Sequence, residues 1–305
     1  MNVIITNPVA GNGRGLKVYS KFKELNKENL VNFRSFSTKY PGHAEEIARQ
    51  ISQMHHERIQ MLYVIGGDGT FHEVLNGLQA HNKIPVSFIP AGSGNDFVRG
   101  GTLSSRPSKL IQQLKHHPRL SSFRPGVYVI NRNNRIFLNS LGIGIDAEVV
   151  TRANQSHYKK ILNQLRLGFL TYAVALIQVL FNFSPKTITL TIDGKKSVHH
   201  QVWMVTVGNH AYMGGGMKLL PNSSHKDPYF TILIVENISK WKILGLFLTV
   251  FWGGHTRIKG VSLQKGQRIT IKVPELVRFH ADGQEGTCSE VSIKKSTKTH
   301  MIPGK

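Results

Sequence analysis

The chain has 305 residues, of which 40% are apolar and 18% charged, and its formal net charge is +22. This length and composition allow one large domain or two ordinary ones, and the single cysteine, Cys288, excludes an internal disulfide. The charge favours polyanionic partners. The basic residues are dispersed and follow no zinc-finger spacing, so no specific nucleic-acid partner is expected.

The first 122 residues alternate between apolar runs typical of strands and apolar stripes with helical spacing. Strands are predicted at residues 2–6, 31–36, 61–65 and 86–89. Helices are predicted at residues 16–29, 43–54 and 107–117, and around residues 70–78. The alternation predicts an α/β domain whose parallel sheet carries helices on both faces.

Beyond about residue 122 the pattern changes to short alternating segments, which predict antiparallel strands. Two helices interrupt them, at about 157–182 and 239–252, and "IDGKK" (192–196) predicts a hairpin turn. We therefore expect a β-rich, sandwich-like second domain with inserted helices. The predicted boundaries are 1–122 for the α/β domain and 123–292 for the β-rich domain, with a tail, 293–305, that can return to the first.

Neither apolar stretch of the second domain, near 168–183 or 243–252, reaches the roughly 20 residues that span a bilayer. No segment follows the pattern of a signal peptide, so the expectation is a cytoplasmic chain. The helix at about 157–182 has an apolar side that either packs into the core or shelters an acyl chain. That side consists of Leu165, Phe169, Tyr172 and Leu176.

Glycine loops at residues 11–15, 66–69 and 92–94 each follow a predicted strand, so they should gather at the carboxyl edge of the sheet. In "GGDGT" (66–70) the glycines let backbone N–H groups approach phosphate oxygens. Asp68 then fits a bridging Mg²⁺, whereas in an ordinary turn it would cap the following helix. For this loop alone the turn is favoured, and the convergence of three loops favours phosphate binding.

The other two loops offer similar groups. "PAGSGNDFVRG" (90–100) presents backbone donors and the Ser93 hydroxyl, and "NPVAGNGRG" (7–15) can hold Asn7 and Gly11 near a nucleotide. Neither loop ends in the Gly-Lys-Ser/Thr of a P-loop, and neither follows the G-x-G-x-x-G dinucleotide pattern.

An ordered set of motifs runs through nearly the whole chain: "NPVAG", "TKYPGHA", "GGDGTFHEVLNG", "PAGSGNDFVRG", "LGIGIDAEV", "GGGMKLLPNSSHKD" and "ADGQ". In combination they resemble the diacylglycerol-kinase catalytic family, and most closely its bacterial soluble lipid kinases. The resemblance implies a nucleotide-binding domain and a β-rich lipid-substrate domain with ATP in the cleft between them. It also implies Mg²⁺, transfer of the γ-phosphoryl group to a lipid hydroxyl, and peripheral association with an anionic membrane surface.

The resemblance also implies site residues, carried over by position. ATP contacts fall on Asn7, Pro8, Ala10, Gly11, Thr38, Gly66, Gly67, Asp68, Gly69, Thr70, His72 and Ser93. A structural Mg²⁺ site falls on Ser224, Asp227 and Tyr229, through the Asp227 carboxylate and backbone carbonyls. The catalytic positions fall on Asp68, Asp282 and Gln284.

Four positions depart from the family pattern. Gln284 stands where the family has the glutamate assigned as proton acceptor, and an amide cannot accept that proton. Arg124 replaces an aspartate, His72 replaces an asparagine, and Pro228 replaces a glycine. Glu285 follows Gln284 but should point to the opposite face of a strand.

The departures leave alternatives to an ATP-dependent lipid kinase. One is a catalytically degenerate relative that binds nucleotide or lipid and regulates another process. A second is an NAD kinase, which shares the GGDG loop, and a third, resting on charge alone, is nucleic-acid binding. Diacylglycerol, a polyprenol, phosphatidylglycerol and a sphingoid base all stay open as the lipid, and so does a homodimer.

Overall fold

The computed structural model describes residues 1–100, 106–115, 120–157, 162 and 168–303. The strands are β1 Asn2–Thr6, β2 Phe33–Ser37, β3 Met61–Gly66, β4 Val86–Pro90, β5 Leu120–Phe123, β6 Gly126–Ile130, β7 Asn133–Phe137, β8 Ser140–Gly144, β9 Lys186–Ile192, β10 Lys195–Gly208, β11 Phe230–Glu236, β12 Val261–Gly266, β13 Arg268–Ala281, β14 Gln284–Lys295 and β15 His300–Pro303. The helices are α1 Ala10–Leu25, α2 His43–His55, α3 Asp68–Gly77, α4 Asp96–Arg99, α5 Pro107–Lys115, α6 Ile145–Gln155, α7 Gly168–Leu180 and α8 Lys240–Thr249.

The chain divides into two compact units. The first unit is Met1–Arg124 together with Thr297–Lys305, and the second unit is Pro125–Ser296. The backbone N–H of Ser296 donates to the carbonyl of Pro125 at 3.0 Å, so the two ends of the second unit lie side by side.

The first unit is built on a parallel sheet with strand order β2-β1-β3-β4. Because the order reverses at β1, right-handed crossovers place α1 on one face and α2 and α3 on the other, as predicted. Four buried phenylalanines fill the space beside β4, with Phe71 stacked on Phe88 at 4.6 Å between ring centroids and Phe97 packed edge-on against Phe123 at 5.1 Å. The last strand, β15, pairs with β5 in the same unit.

The second unit is an antiparallel sheet with strand order β12-β11-β10-β8-β13-β14-β6-β7, in which β9 also pairs with β10 and β13. One core cluster includes Phe137, Ile143, Leu190, Ile232 and Ile293. A second cluster places α7 and α8 against Trp203 and Leu233 of the sheet. The β-rich class is therefore confirmed.

The "IDGKK" turn has Asp193 at φ 48° and Gly194 at φ 87°, which is the conformation of a tight hairpin.

Several predicted elements differ in extent. The sequence pattern predicts two strands at 268–273 and 277–280, and the structure joins them into the single strand β13, whose register with β14 shifts between Lys272 and Val277. The predicted helix at about 157–182 is described as α7 only from Gly168, and Leu165 and the side chain of Phe169 lie outside the described residues. Leu176 is buried in the core and Tyr172 packs against it, so core packing accounts for these two residues. No helix among the described residues has the length and apolarity needed to cross a membrane.

Candidate active site

Three loops lie side by side where β1, β3 and β4 end. The backbone N–H of Asn7 donates to the carbonyl of Ile65 at 2.8 Å, and the N–H of Ala91 donates to the carbonyl of Gly66 at 2.7 Å. The Asn7 side-chain amide donates to the Thr70 hydroxyl at 3.1 Å. These bonds tie the loop after β1, the loop after β3 and the loop after β4 into one edge of the first unit, as the glycine pattern predicted.

Glycines allow the loops to approach this closely. Gly11 has φ 56°, and a Cβ there would collide with the carbonyl oxygen of Ala91. A Cβ on Gly92 would lie 2.6 Å from the Cα of Gly67, closer than real Cβ atoms come. By contrast, a Cβ on Gly69 would meet nothing within 4 Å, although this residue lies in the first turn of α3. The space beside Gly69 is therefore open, at the end of a helix whose N–H groups favour an anion.

Asp68 joins the second loop to the third. Its Oδ2 accepts the backbone N–H of Asp96 at 3.0 Å, and its Oδ1 accepts that of Phe97 at 3.1 Å. These are the first N–H groups of α4, so Asp68 caps α4. Its own helix, α3, has no side-chain hydrogen bond at its N-cap, Gly67. The sequence pattern suggests Asp68 as a cap of the helix that follows it, α3, and the structure instead shows it capping α4. The role of Asp68 in holding Mg²⁺ stays a prediction.

The remaining predicted ATP contacts differ in their accessibility. Ser93 is exposed at the tip of the third loop, and the backbone N–H of Thr38 donates to the carbonyl of Thr6 at 2.9 Å, next to the first loop. Partly accessible positions are Asn7, Pro8, Ala10 and Gly11. His72 is 0% exposed, so its side chain lies away from the loop surface and any ligand contact there would fall to its backbone.

Asp282 lies in the second unit at the hairpin between β13 and β14, with φ 51°. Its carboxylate accepts the backbone N–H groups of Leu138 at 2.6 Å, Asn139 at 2.7 Å and Ser140 at 3.1 Å. A carboxylate can satisfy three donors at once because its two oxygens carry about four acceptor positions. Asp282 therefore anchors the start of β8, which sequence reasoning did not predict.

A buried polar network adjoins this anchor and was also missed. The backbone N–H of Tyr212 donates to His210 Nδ1 at 3.1 Å, so the ring proton sits on Nε2 and is donated to the Asn139 side-chain oxygen at 2.7 Å. Lys295 donates to the Asn209 side-chain oxygen and lies 4.7 Å from the centroid of the Phe230 ring. The sequence signal was a histidine two residues after an apolar strand, and this signal does not indicate its partners.

The pKa of His210 is lowered to about 3, chiefly by burial and in addition by the charges of His225 and Lys295, while the charge of Asp282 opposes them. An unfolded histidine titrates near 6.5, so between about pH 6.5 and pH 3 the unfolded chain binds a proton that the native chain does not. The stabilising contribution of neutral His210 is therefore present above pH 6.5 and is lost as the pH falls towards 3.

We expect the uptake of this proton on unfolding to lower the free energy of unfolding of the full chain as the pH falls from 7 to 4, as measured with urea. His210→Gln should flatten the pH dependence of the unfolding free energy by up to about 1.4 kcal/mol per pH unit, the value for one proton. The control is His200→Gln, which replaces an exposed histidine of the same unit. Equal slopes in the two variants would contradict the assignment.

Gln284 and Glu285 begin β14. Gln284 pairs with Ala281 and is exposed, whereas Glu285 accepts the side-chain amide of Asn154 at 2.6 Å. Successive strand residues point to opposite faces, so Glu285 does not replace the missing carboxylate at position 284.

The predicted metal turn has its own internal bonds. The backbone N–H of Ser224 donates to Asp227 Oδ2 at 2.9 Å, and the N–H of Asp227 donates back to the Ser224 carbonyl at 2.9 Å. The Tyr229 hydroxyl accepts Lys265 Nζ at 2.9 Å. Among the described residues no group of three or more His, Cys, Asp or Glu side chains could hold a metal. A single carboxylate whose oxygen already serves the turn fits Mg²⁺ weakly, so this site stays a prediction.

Comparison with known proteins bears on both units. The family model of the diacylglycerol kinase catalytic domain matches residues 2–122, and that of the YegS C-terminal NAD kinase beta sandwich-like domain matches residues 139–301. The candidate lipid kinase YtlR of Bacillus subtilis (strain 168) is 40% identical over 285 residues, covering 92% of each chain. The diacylglycerol kinase of Mycobacterium tuberculosis (strain H37Rv) is 26% identical over 280 residues, covering 92% of this chain and 87% of the relative.

Two solved structures from Bacillus anthracis (strain Sterne) share the fold. One, described as a diacylglycerol kinase, has a TM-score of 0.72 at 18% identity and covers 100% of this chain and 96% of that chain. The other, a candidate diacylglycerol kinase, has a TM-score of 0.78 at 20% identity and covers 100% and 97%. Together with the glycine edge and the matched domains, these findings establish that the chain belongs to the diacylglycerol kinase catalytic family, among bacterial proteins named as lipid kinases.

Proposed function

We propose that the chain is an ATP-dependent lipid kinase that transfers the γ-phosphoryl group of ATP to a hydroxyl of diacylglycerol or a related lipid at a membrane surface. The observation that carries the proposal is the edge of the first unit, where three strand-end loops are packed so closely that glycine is required at Gly11 and Gly92. Backbone surfaces of this kind admit phosphate oxygens to N–H donors, and the first turn of α3 adds its positive end.

Phosphoryl transfer depends on positioning and on electrostatic stabilisation more than on covalent chemistry. In the proposed complex the first and second loops hold the nucleotide, and Ser93 of the third loop donates its hydroxyl. Mg²⁺, when bound, would neutralise charge on the phosphates, and Asp68 is the loop carboxylate that would hold it. Asp282 would act as a positioning residue, because its oxygens already hold the strand start at residues 138–140.

A second candidate function has its own support. Gln284 offers an amide where a proton acceptor is expected, and Asp282 is already engaged by three backbone donors. Both observations favour a degenerate relative that binds nucleotide or lipid without transferring phosphate. Gln284→Glu separates the two functions: activity that appears only in the variant supports the degenerate relative.

The direct test incubates the full chain with labelled ATP, Mg²⁺ and a panel of lipids in mixed micelles, with NAD as a further acceptor. Label should appear in one lipid class. Binding of ATP without transfer to any lipid would reject the lipid-kinase proposal, and transfer to NAD would replace it by an NAD kinase.

A glycine substitution tests the phosphate edge apart from the chemistry. Gly69→Ala should leave the free energy of unfolding unchanged or raise it by about 0.5 kcal/mol, because alanine favours a helix and the added methyl meets no protein atom. It should weaken ATP binding about tenfold or more, because the methyl enters the space proposed for phosphate.

The matched control is Gly245→Ala, in the exposed middle of α8, where an added Cβ also meets nothing within 4 Å. This variant should gain similar stability and bind ATP as the native chain does. If Gly69→Ala also binds ATP normally by calorimetry, the loop is a turn without a phosphate role.

A further inference from the structure

Two neighbouring helices of the second unit carry apolar side chains that face away from its core. On α7 and the residue that follows it, Val174, Ile177 and Phe181 are 37%, 52% and 51% exposed. On α8 and the turn after it, Trp241, Leu248 and Trp252 are 72%, 63% and 66% exposed. Soluble proteins rarely cluster such residues on a surface without a partner.

The side chains on each helix follow helical spacing and form one stripe, and Trp252 follows in the turn after α8. Val174, Ile177 and Phe181 recur at three and four residues, and Trp241 and Leu248 are seven residues apart. The rings of Phe181 and Trp241 are in edge-on contact at 6.0 Å between centroids, which joins the two stripes. The opposite sides of both helices, including Leu176 and Ile243, are buried in the core. We call the six exposed residues the α7–α8 surface.

The two chain segments that carry the α7–α8 surface are basic. The sequence contains no Asp or Glu from residue 149 to 192 or from 237 to 274, while these two segments hold five and seven Lys or Arg residues. Lys240 donates to the carbonyl of Phe181 at 2.7 Å, between the two stripes. Lys242, Arg257 and Lys259 are exposed on α8 or shortly after it.

We propose that the α7–α8 surface docks the chain onto a bilayer of anionic phospholipids. Tryptophan and phenylalanine prefer the boundary between head groups and acyl chains, and the surrounding cations attract anionic head groups. The inference rests on the proposed function, because a lipid kinase must meet its substrate at a bilayer. It adds which face of the second unit makes that contact.

A second copy of the chain fits this surface less well than a bilayer. In a two-fold dimer the same patch would face itself, so the lysine and arginine residues of one copy would face those of the other. Anionic lipids complement both the apolar stripes and the charge.

The test measures binding of the full chain to vesicles without ATP. Vesicles of phosphatidylcholine are compared with vesicles that also contain phosphatidylglycerol. The double variant Trp241→Ala, Trp252→Ala should weaken partitioning to the anionic vesicles about a hundredfold, because two large aromatic groups no longer enter the interface. Lys242→Glu with Lys259→Glu should weaken binding about tenfold or more on anionic vesicles and little on neutral ones.

The matched control is the double variant Val198→Ala, Leu276→Ala, which removes two apolar side chains of the same unit that are 53% and 74% exposed. It should bind vesicles as the native chain does. Tryptophan fluorescence gives a readout that needs no variant: Trp241 and Trp252 should shift to shorter wavelength on anionic vesicles, while Trp203, which is 3% exposed, reports the core.

Equal vesicle binding by the tryptophan and control variants would overturn the proposal. A native dimer by light scattering that becomes a monomer in the tryptophan variant would assign the surface to a second copy instead. Vesicle binding without phosphoryl transfer to any lipid would reject the proposed function and leave the docking surface standing. Both proposals would be supported if the tryptophan variant still phosphorylates a short-chain lipid in solution but no longer phosphorylates lipid in vesicles.

Discussion

Asp282→Ala should lower the free energy of unfolding of the second unit by about 3 kcal/mol or more, since hydrogen bonds to a charged group are strong and unmet donors are costly. The Asp282 carboxylate accepts hydrogen bonds from the backbone N–H groups of Leu138, Asn139 and Ser140, and all three residues are buried. Alanine offers them no acceptor. Urea unfolding followed by circular dichroism measures the change.

The chain contains a matched control for this variant. Asp193 lies in the hairpin between β9 and β10 with φ 48°, before Gly194 as Asp282 lies before Gly283, and it accepts the N–H groups of Gln267 and Arg268. These bonds are exposed, so water can replace the carboxylate. Asp193→Ala should therefore cost only about 1 kcal/mol. Equal losses in the two variants would show that burial around Asp282 does not matter.

The anchoring role also changes how an activity loss at Asp282 is interpreted. Asp282→Asn keeps one acceptor oxygen but places an amide group near backbone donors, so it perturbs the start of β8 as well as any chemistry. Lost transfer in this variant supports a direct catalytic role only if its unfolding free energy and ATP affinity stay near the native values.

Asp68→Ala is expected to have the largest effect on the first unit. It removes the acceptor for the N–H groups of Asp96 and Phe97, which should cost about 1–2 kcal/mol of stability, as for the loss of a helix cap. It also releases the third loop from the second, so ATP affinity should fall about tenfold or more. If the carboxylate also organises Mg²⁺, phosphoryl transfer should fall about a thousandfold.

Asp68→Asn separates the cap from the metal role. The amide oxygen keeps one of the two backbone bonds, so ATP affinity without Mg²⁺ should stay within a few-fold of the native value. The gain in ATP affinity on adding Mg²⁺ should be lost, because an amide is a poorer ligand for a hard cation than a carboxylate. Native transfer rates in Asp68→Asn would restrict Asp68 to capping α4.

Sequence patterns predicted the strand and helix alternation of the first unit and its glycine loops. The alternation of apolar runs and stripes predicted the parallel sheet, and the glycines after β1, β3 and β4 predicted the shared edge, since each signal is local and has a fixed period. Partners across the fold left no such signal. Asp68 bonds to α4 across 28 residues, and Asp282 bonds to Asn139 across 143, so their anchoring roles could not be predicted from spacing.

The sequence also could not predict the side on which an apolar helix is exposed. The stretches at 168–183 and 243–252 are apolar nearly all round, and only the packing of Leu176 and Ile243 into the core defines their outward stripes. The long strand β13 was split in the prediction because an irregular register with β14 interrupts its alternation.

The paired ends of the second unit affect the order in which the two units can be completed during translation. The second unit is inserted in the sequence between β5 and β15, and its ends are joined by the bond from Ser296 to Pro125. During synthesis the strands of the parallel sheet emerge first, and the second unit then emerges as an insertion whose two ends pair with each other. β5 must wait for β15, so the first unit is completed only after the second has been translated.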